Sequence, residues 1–126
     1  MGSEFTFYDF VERTNLIHSW LETVPVQVKA KFNKWLLHLE GLRPGEWKRP
    51  LVDEVCGDLF EIRTSMNHVQ YRLLGCHGPG RREPTLLHGC IKAGRKVPEA
   101  DCNMALARMA LVYTDADSYR EEHRYD

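Results

Sequence analysis

The spacing of apolar residues changes period once along this chain, and that change decides what it can fold into. Before Gly41 the apolar positions recur at helical spacing, and from Asp58 to Ile91 they fall in short strand-like runs. Phe5 to Val11 alternates weakly and reads as a first strand, closed by the turn or cap cluster Arg13-Thr14-Asn15. Thr14 or Asn15 can cap a short helix with the stripe Ile17, Trp20, Leu21 and Val24. Pro25 suits the first turn of a second helix, whose stripe is Val28, Phe32, Trp35, Leu36 and Leu39, with Lys29, Lys31 and Lys34 off it and Gly41 as its stop. Leu42 to Pro50 reads as a loop. Three strand-like runs follow, Asp58–Thr64, Val69–Cys76 and Pro84–Ile91, separated by turns at 65–68 and 77–83, so they form a meander of two hairpins. Lys92 to Val97 is a basic loop. Pro98 opens a closing helix with Met104, Leu106, Met109, Ala110 and Tyr113 on its apolar side, and the polar tail 114–126 is expected to be partly ordered at most. The fold class is α+β.

With 126 residues, 43% hydrophobic and 28% charged, the chain suits one globular domain rather than a disordered segment. Gly2-Ser3-Glu4-Phe5 reads as a vector remnant, which assigns 1–5 to that remnant, 6–113 to the domain and 114–126 to the tail. No apolar run approaches the roughly 20 residues that span a bilayer, and the start lacks the pattern of a secretory signal, so a soluble cytoplasmic protein with no membrane association is expected. The net charge of -1 hides a segregation. Residues 24–98 hold thirteen Lys/Arg against seven Asp/Glu, whereas 1–23 hold one against four and 99–126 three against seven. A basic middle between acidic ends suits an anionic ligand such as RNA phosphates, and it also suits an unevenly charged solvated surface. Cys56, Cys76, Cys90 and Cys102 form no C-x-x-C pair, so free buried thiols are expected rather than a disulfide framework. Cys76-His77 and His88-x-Cys90 could meet across a hairpin, but structural zinc sites use tighter knuckles, so no metal and no cofactor is expected.

Strand parity sorts the meander into two faces. Phe60, Ile62, Val69, Tyr71, Leu73, Leu87 and Ile91 are expected to pack on the helices. Glu61, Arg63, Gln70, Arg72, His88 and Lys92 then share the second face, beside the loop bearing Arg95 and Lys96. Such a set suits phosphodiester chemistry without a metal: a base for a 2′-hydroxyl, an acid for the leaving 5′-oxygen, and fixed positive charge for the transition state. Arg63 and Arg72 can hold phosphate oxygens bidentately, and Glu61 or His88 can exchange protons. The plainer alternatives are a surface ion pair for Arg63 with Glu61 and a structural role for His88.

The succession Leu59-Phe60-Glu61-Ile62-Arg63, Tyr71-Arg72-Leu73-Leu74-Gly75, Leu86-Leu87-His88-Gly89, Lys92 and Pro98, with Trp20-Leu21 upstream, resembles the RelE/ParE toxin superfamily over residues 6–113. It is most similar to the HigB or phage-Gp49-like branch. The resemblance implies a RelE-like small domain: an N-terminal strand and helix hairpin, an antiparallel three-stranded meander and a closing C-terminal helix. It implies a toxin of a type II toxin–antitoxin pair, an endoribonuclease that cleaves mRNA on the ribosome by metal-independent 2′-hydroxyl attack. By position, Arg63 matches the arginine that contacts the scissile phosphate in catalytic relatives, Arg72 matches the Y-R arginine, and Lys92, Arg95 and Lys96 match a basic RNA-contacting loop. Glu61 and His88 are the candidate bases, with Tyr113, Tyr119 and His123 as lesser candidates. The implied partners are a cognate antitoxin, commonly a helix-turn-helix protein, and the ribosome with its mRNA; a homodimer is left open. Two alternatives stand beside this reading: a ParE-like toxin that poisons gyrase without cleaving, and an inactive relative that only binds partners.

Overall fold

A computed structural model describes residues 4–43, 45–49, 51–92 and 94–125. Gly2 and Ser3 of the expected remnant, Pro44 and Pro50 of the expected loop, Ala93 of the basic loop and Asp126 of the tail lie outside the described residues. The elements are β1 (Tyr8–Glu12), β2 (Thr14–Asn15), α1 (Leu16–Leu21), α2 (Val26–Glu40), β3 (Val52–Val55), β4 (Leu59–Met66), β5 (Val69–Gly80), β6 (Glu83–Lys92), α3 (Glu99–Thr114), α4 (Ala116–Tyr119) and β7 (Arg120–Glu122). The sheet runs β2-β1-β6-β5-β4-β3, with β7 pairing β1. The architecture is α+β and compatible with the small RelE-like domain that the resemblance implies. Among the described residues no helix is long and apolar enough to cross a membrane.

Local chemistry accounts for most of the boundaries. Asn15 accepts the His18 N–H at 2.8 Å and caps α1. Pro25 and Pro98 occupy the positions before α2 and α3, where a missing N–H costs nothing, and Gly41 follows the last turn of α2. Asn67 and His68 both adopt positive φ, the two-residue turn whose twist suits the β4–β5 hairpin. At the N-terminus, Glu4 and Phe5 donate their N–H groups to the Glu40 carbonyl at 2.8 and 3.1 Å.

The helices lie in two layers, one on each side of the sheet. Ile17 and Leu21 of α1 and Val28, Phe32, Leu36 and Leu39 of α2 pack on Phe60, Ile62, Tyr71, Leu73 and Leu86. Ala105 and Val112 of α3 cover Leu59, Leu74, Leu87, Cys76 and Cys90 on the reverse face. The second face, which the polar set was expected to share, is thus also a buried apolar layer. The adjacent pairs Leu59-Phe60, Leu73-Leu74 and Leu86-Leu87 are buried on both sides, as in a strand covered twice. Four core assignments change as well. Leu74 stands opposite His88 and Gly75 opposite Leu86, so Leu87 is the extra residue of a bulge that exchanges the faces of Leu86 and Leu87. Ile91 is 55% exposed and belongs to neither core, and in the closing helix Ala105 and Val112 turn inward while the expected Met104 and Tyr113 are exposed.

Two further differences concern segments that looked peripheral. The tail folds back: β7 pairs β1 through Tyr8↔Glu122, Asp9↔Glu121 and Phe10↔Arg120. Of the four cysteines, Cys56 and Cys102 form a disulfide, while Cys76 and Cys90 are free and buried as expected. The bond arises because α3, laid across the reverse face, brings its first turns beside the β3–β4 turn.

Candidate functional site

β3 pairs with β4 from Leu59 to Ile62 and the Arg63 N–H donates to the Leu51 carbonyl at 3.2 Å, so the β4 edge is open, among the described residues, only beyond Arg63. Arg63 faces Arg72 directly across the β4–β5 ladder, a juxtaposition of like charges that destabilises unless an anion intervenes. Glu61 is that anion. Its Oε1 lies 2.9 Å from Arg63 Nε, 3.6 Å from Arg72 Nε and 4.0 Å from Lys92 Nζ, and its Oε2 is buried without a hydrogen-bond partner. Arg63 Nη2 also meets Asp53 Oδ2 at 2.8 Å, and Arg49 binds the other oxygen of Asp53 at 3.0 Å. The Arg49 hydrogen bond, helped by the Glu54 N–H and the Arg63 charge, holds the Asp53 carboxyl below the usual carboxylate range. Arg72 is 6% exposed; it donates to the Tyr71 carbonyl and to Gln70 Oε1 at 2.9 and 3.2 Å. Burial lowers its pKa, while the Glu61 charge opposes that shift.

Arg63 borders two concavities. One, of about 450 Å³, lies between α2 and the β4 edge, with Lys31, Lys34 and Trp35 on one wall and Arg63, Thr64, Ser65, Gln70 and Arg72 on the other. No carboxylate stands among these lining residues. The second, of about 340 Å³, brings Glu61, Arg63, Lys92, Arg95 and Lys96 together with Asp53, Glu54 and the Cys56–Cys102 disulfide. Glu61, Arg63, Lys92, Arg95 and Lys96, all expected from sequence, thus line one pocket, and Arg72 lines the neighbouring one.

His88 lies apart from both. Its Nε2 meets Asp101 Oδ1 at 2.6 Å and its Nδ1 lies 3.4 Å from Arg108 Nη1, which ties β6 to α3. Tyr113 lines a separate pocket with Asp58, Cys76, His77 and Met109, Tyr119 stacks on Phe10, and His123 is buried. The two Cys/His pairs considered for zinc do not face each other, since Cys76 stands opposite Thr85 and Cys90 opposite Arg72. Burial, with Asp101 and Glu61 nearby, pushes the Cys90 thiol up to about 12, far from a thiolate ligand or nucleophile at neutral pH. Among the described residues no group of three or more His, Cys, Asp or Glu could hold a metal.

Sequence reasoning missed Asp53, which orients Arg63, and it assigned Trp35 wholly to the core stripe. Trp35 is half-buried and stands with Lys31 and Lys34 in the acid-free cleft. The signal was present: Lys31, Lys34 and Trp35 are three and four residues apart and share a helix face.

The model of one protein family, described as phage-derived protein Gp49-like (DUF891), matches residues 19–110, more than half of the chain. The matched span contains Glu61, Arg63, Arg72, Lys92, Arg95 and Lys96 and excludes Tyr113, Tyr119 and His123. No curated protein matches the chain.

Proposed function

This chain belongs to the phage-derived Gp49-like family, which is of the RelE/HigB-like toxin type, and from that premise we propose that it is the toxin of a type II toxin–antitoxin pair that cleaves mRNA on the ribosome. The observation that carries the proposal is the convergence of Arg63, Arg72 and Lys92 on the single buried carboxylate of Glu61, beside the loop bearing Arg95 and Lys96. A phosphate entering this site meets guanidinium groups already held in place, which is how an enzyme stabilises charge that develops in a transition state. In the proposed reaction a base takes the 2′-hydroxyl proton and O2′ attacks the adjacent phosphorus. The P–O5′ bond then breaks, and the leaving oxygen takes a proton, giving a 2′,3′-cyclic phosphate and a 5′-hydroxyl. Arg63 and Arg72 hold the non-bridging oxygens, and Lys92, Arg95 and Lys96 contact the flanking backbone. Glu61, which lines the pocket with Arg63 and Lys92, is the base this arrangement favours over His88, which lies outside it with its ring engaged by Asp101 and Arg108. A cognate antitoxin would hold the protein in check by covering this basic face.

One observation favours a second reading, in which the protein binds partners without cleaving. Arg63 is already neutralised by both Glu61 and Asp53, so phosphate must compete with two carboxylates for it. Primer extension on an mRNA translated in a cell-free extract separates the two. The nuclease reading expects cuts at the A-site codon that require ribosomes and fall by about 100-fold or more in Arg63→Ala, the scale of losing one preorganised transition-state contact. A folded wild-type protein that leaves the message intact supports the partner-binding reading instead, and gyrase-dependent DNA breaks in cells would point to the ParE-like alternative.

A further inference from the structure

The cleft between α2 and the open edge of β4 contains chemistry that phosphate cleavage alone does not require. Lys31 and Lys34 line it from the helix, and Arg63 and Arg72 line it from the sheet, with no carboxylate among the lining residues. The Trp35 indole forms part of the helix wall and is half-buried, with Lys34 Nζ 5.5 Å from its ring centroid. Thr64, only 6% exposed, lines the cleft, and its hydroxyl has no hydrogen-bond partner. Buried polar groups in folded proteins are nearly always satisfied, so an unsatisfied hydroxyl beside four cations and an indole points to a ligand.

We propose that this cleft is a nucleotide subsite in which Trp35 stacks an unpaired RNA base while Lys31, Lys34 and Thr64 hold the adjoining phosphate and ribose. The assignment rests on the RNA-cleaving reading of Arg63 and Arg72, and it places this nucleotide next to the phosphate those arginines hold. An acidic peptide would satisfy the four cations but would leave the indole face without a specific role. A single-stranded nucleotide uses both, because every base offers a π-face and every linkage an anion.

The test is equilibrium binding by fluorescence anisotropy, on isolated protein at low salt. The probe is a short labelled single-stranded RNA, together with versions of it carrying one abasic nucleotide at each position in turn. Trp35→Ala is expected to weaken binding of the intact strand by roughly tenfold or more, the scale of one base–aromatic stack, while Trp35→Phe keeps most of the affinity. One abasic position should weaken wild type by a similar factor and leave Trp35→Ala unchanged. A folded Trp35→Ala protein that binds the intact strand like wild type overturns the proposal. So does an absence of wild-type binding, or a poly-glutamate peptide whose binding depends on Trp35 while abasic strands bind as well as intact ones. The A-site assay is scored separately. Ribosomal cleavage without Trp35-dependent binding ends the subsite and keeps the nuclease, whereas Trp35-dependent binding by a protein that cuts nothing does the reverse.

Discussion

Gly89 and Trp20 come from distant stretches of sequence and meet face to face. A Cβ at Gly89 would overlap the Trp20 indole, so the glycine in Leu86-Leu87-His88-Gly89 is a seat for the first helix. Gly89→Ala should therefore destabilise the fold by about 1–3 kcal/mol through overpacking. Urea denaturation should show that loss, and Trp20→Leu, which shortens the opposing side chain, should cost less in the Gly89→Ala background than in wild type. The Cys90 thiol supports a second residue-scale prediction. Its folded pKa is raised to about 12, from an ordinary 9.0, so below pH 9 the thiol is neutral in both states and no stability is lost through it. As pH rises from 9 toward 12 the unfolded chain releases the proton and the folded one retains it, so stability must fall. Unfolding midpoints measured across that range should drop more steeply for wild type than for Cys90→Ala. At pH 8 the folded protein should react with thiol reagents far more slowly than the unfolded chain.

At the scale of elements, legibility followed periodicity. The closing helix was misread, because its apolar residues run together and the expected Met104 and Tyr113 are exposed while Ala105 and Val112 are buried. The helix pair and the three long strands repeat an apolar period over enough residues to be read, and so the strand faces could be assigned by parity. That assignment placed Glu61, Arg63, Arg72 and Lys92 correctly on one face. Parity failed where the chain breaks its own rule: the bulge at Leu87 shifts the count by one, and nothing local in Pro84–Ile91 announces it. The short strand β3 carries Asp53, but four residues hold too little alternation to be seen. The tail was illegible for a different reason. Its anchoring is polar and long-range: His123 lies buried with Nδ1 at 2.8 Å from Asp9 Oδ1 and Nε2 at 2.9 Å from Asn33 Oδ1, so a tail of charged residues is locked by groups over eighty residues away. His123→Ala would leave the fully buried Asp9 carboxylate with Asn15 Nδ2 as its remaining side-chain partner. A loss of about 3 kcal/mol is expected in urea denaturation, together with faster amide exchange in β7.

The charge pattern of the whole molecule acquires a direction once the strand order is known. β1 and its partner β7 carry Asp9, Glu12, Glu121 and Glu122 at one side of the sheet, while β4, bearing Arg63, lies toward the other. A net charge of -1 therefore belongs to a molecule with an acidic flank and a basic one, and an approaching polyanion is oriented before contact. The two descriptions predict different salt dependence. A molecule acting through its net charge would bind single-stranded RNA weakly and almost independently of salt. One acting through Lys31, Lys34, Arg63, Arg72 and the 92–96 loop should release about 0.7 counterion per phosphate held, so contact with roughly four phosphates gives a slope near -3 in log affinity against log salt. Lys31→Ala and Lys34→Ala should each flatten that slope by about 0.7 if each neutralises one phosphate. Glu121→Gln with Glu122→Gln should leave the slope unchanged and raise low-salt affinity slightly, because these residues act on the approach and touch no phosphate. A slope near zero in the wild-type protein would show that the basic flank does not grip RNA, and the fold would then have to be read as a platform for protein partners.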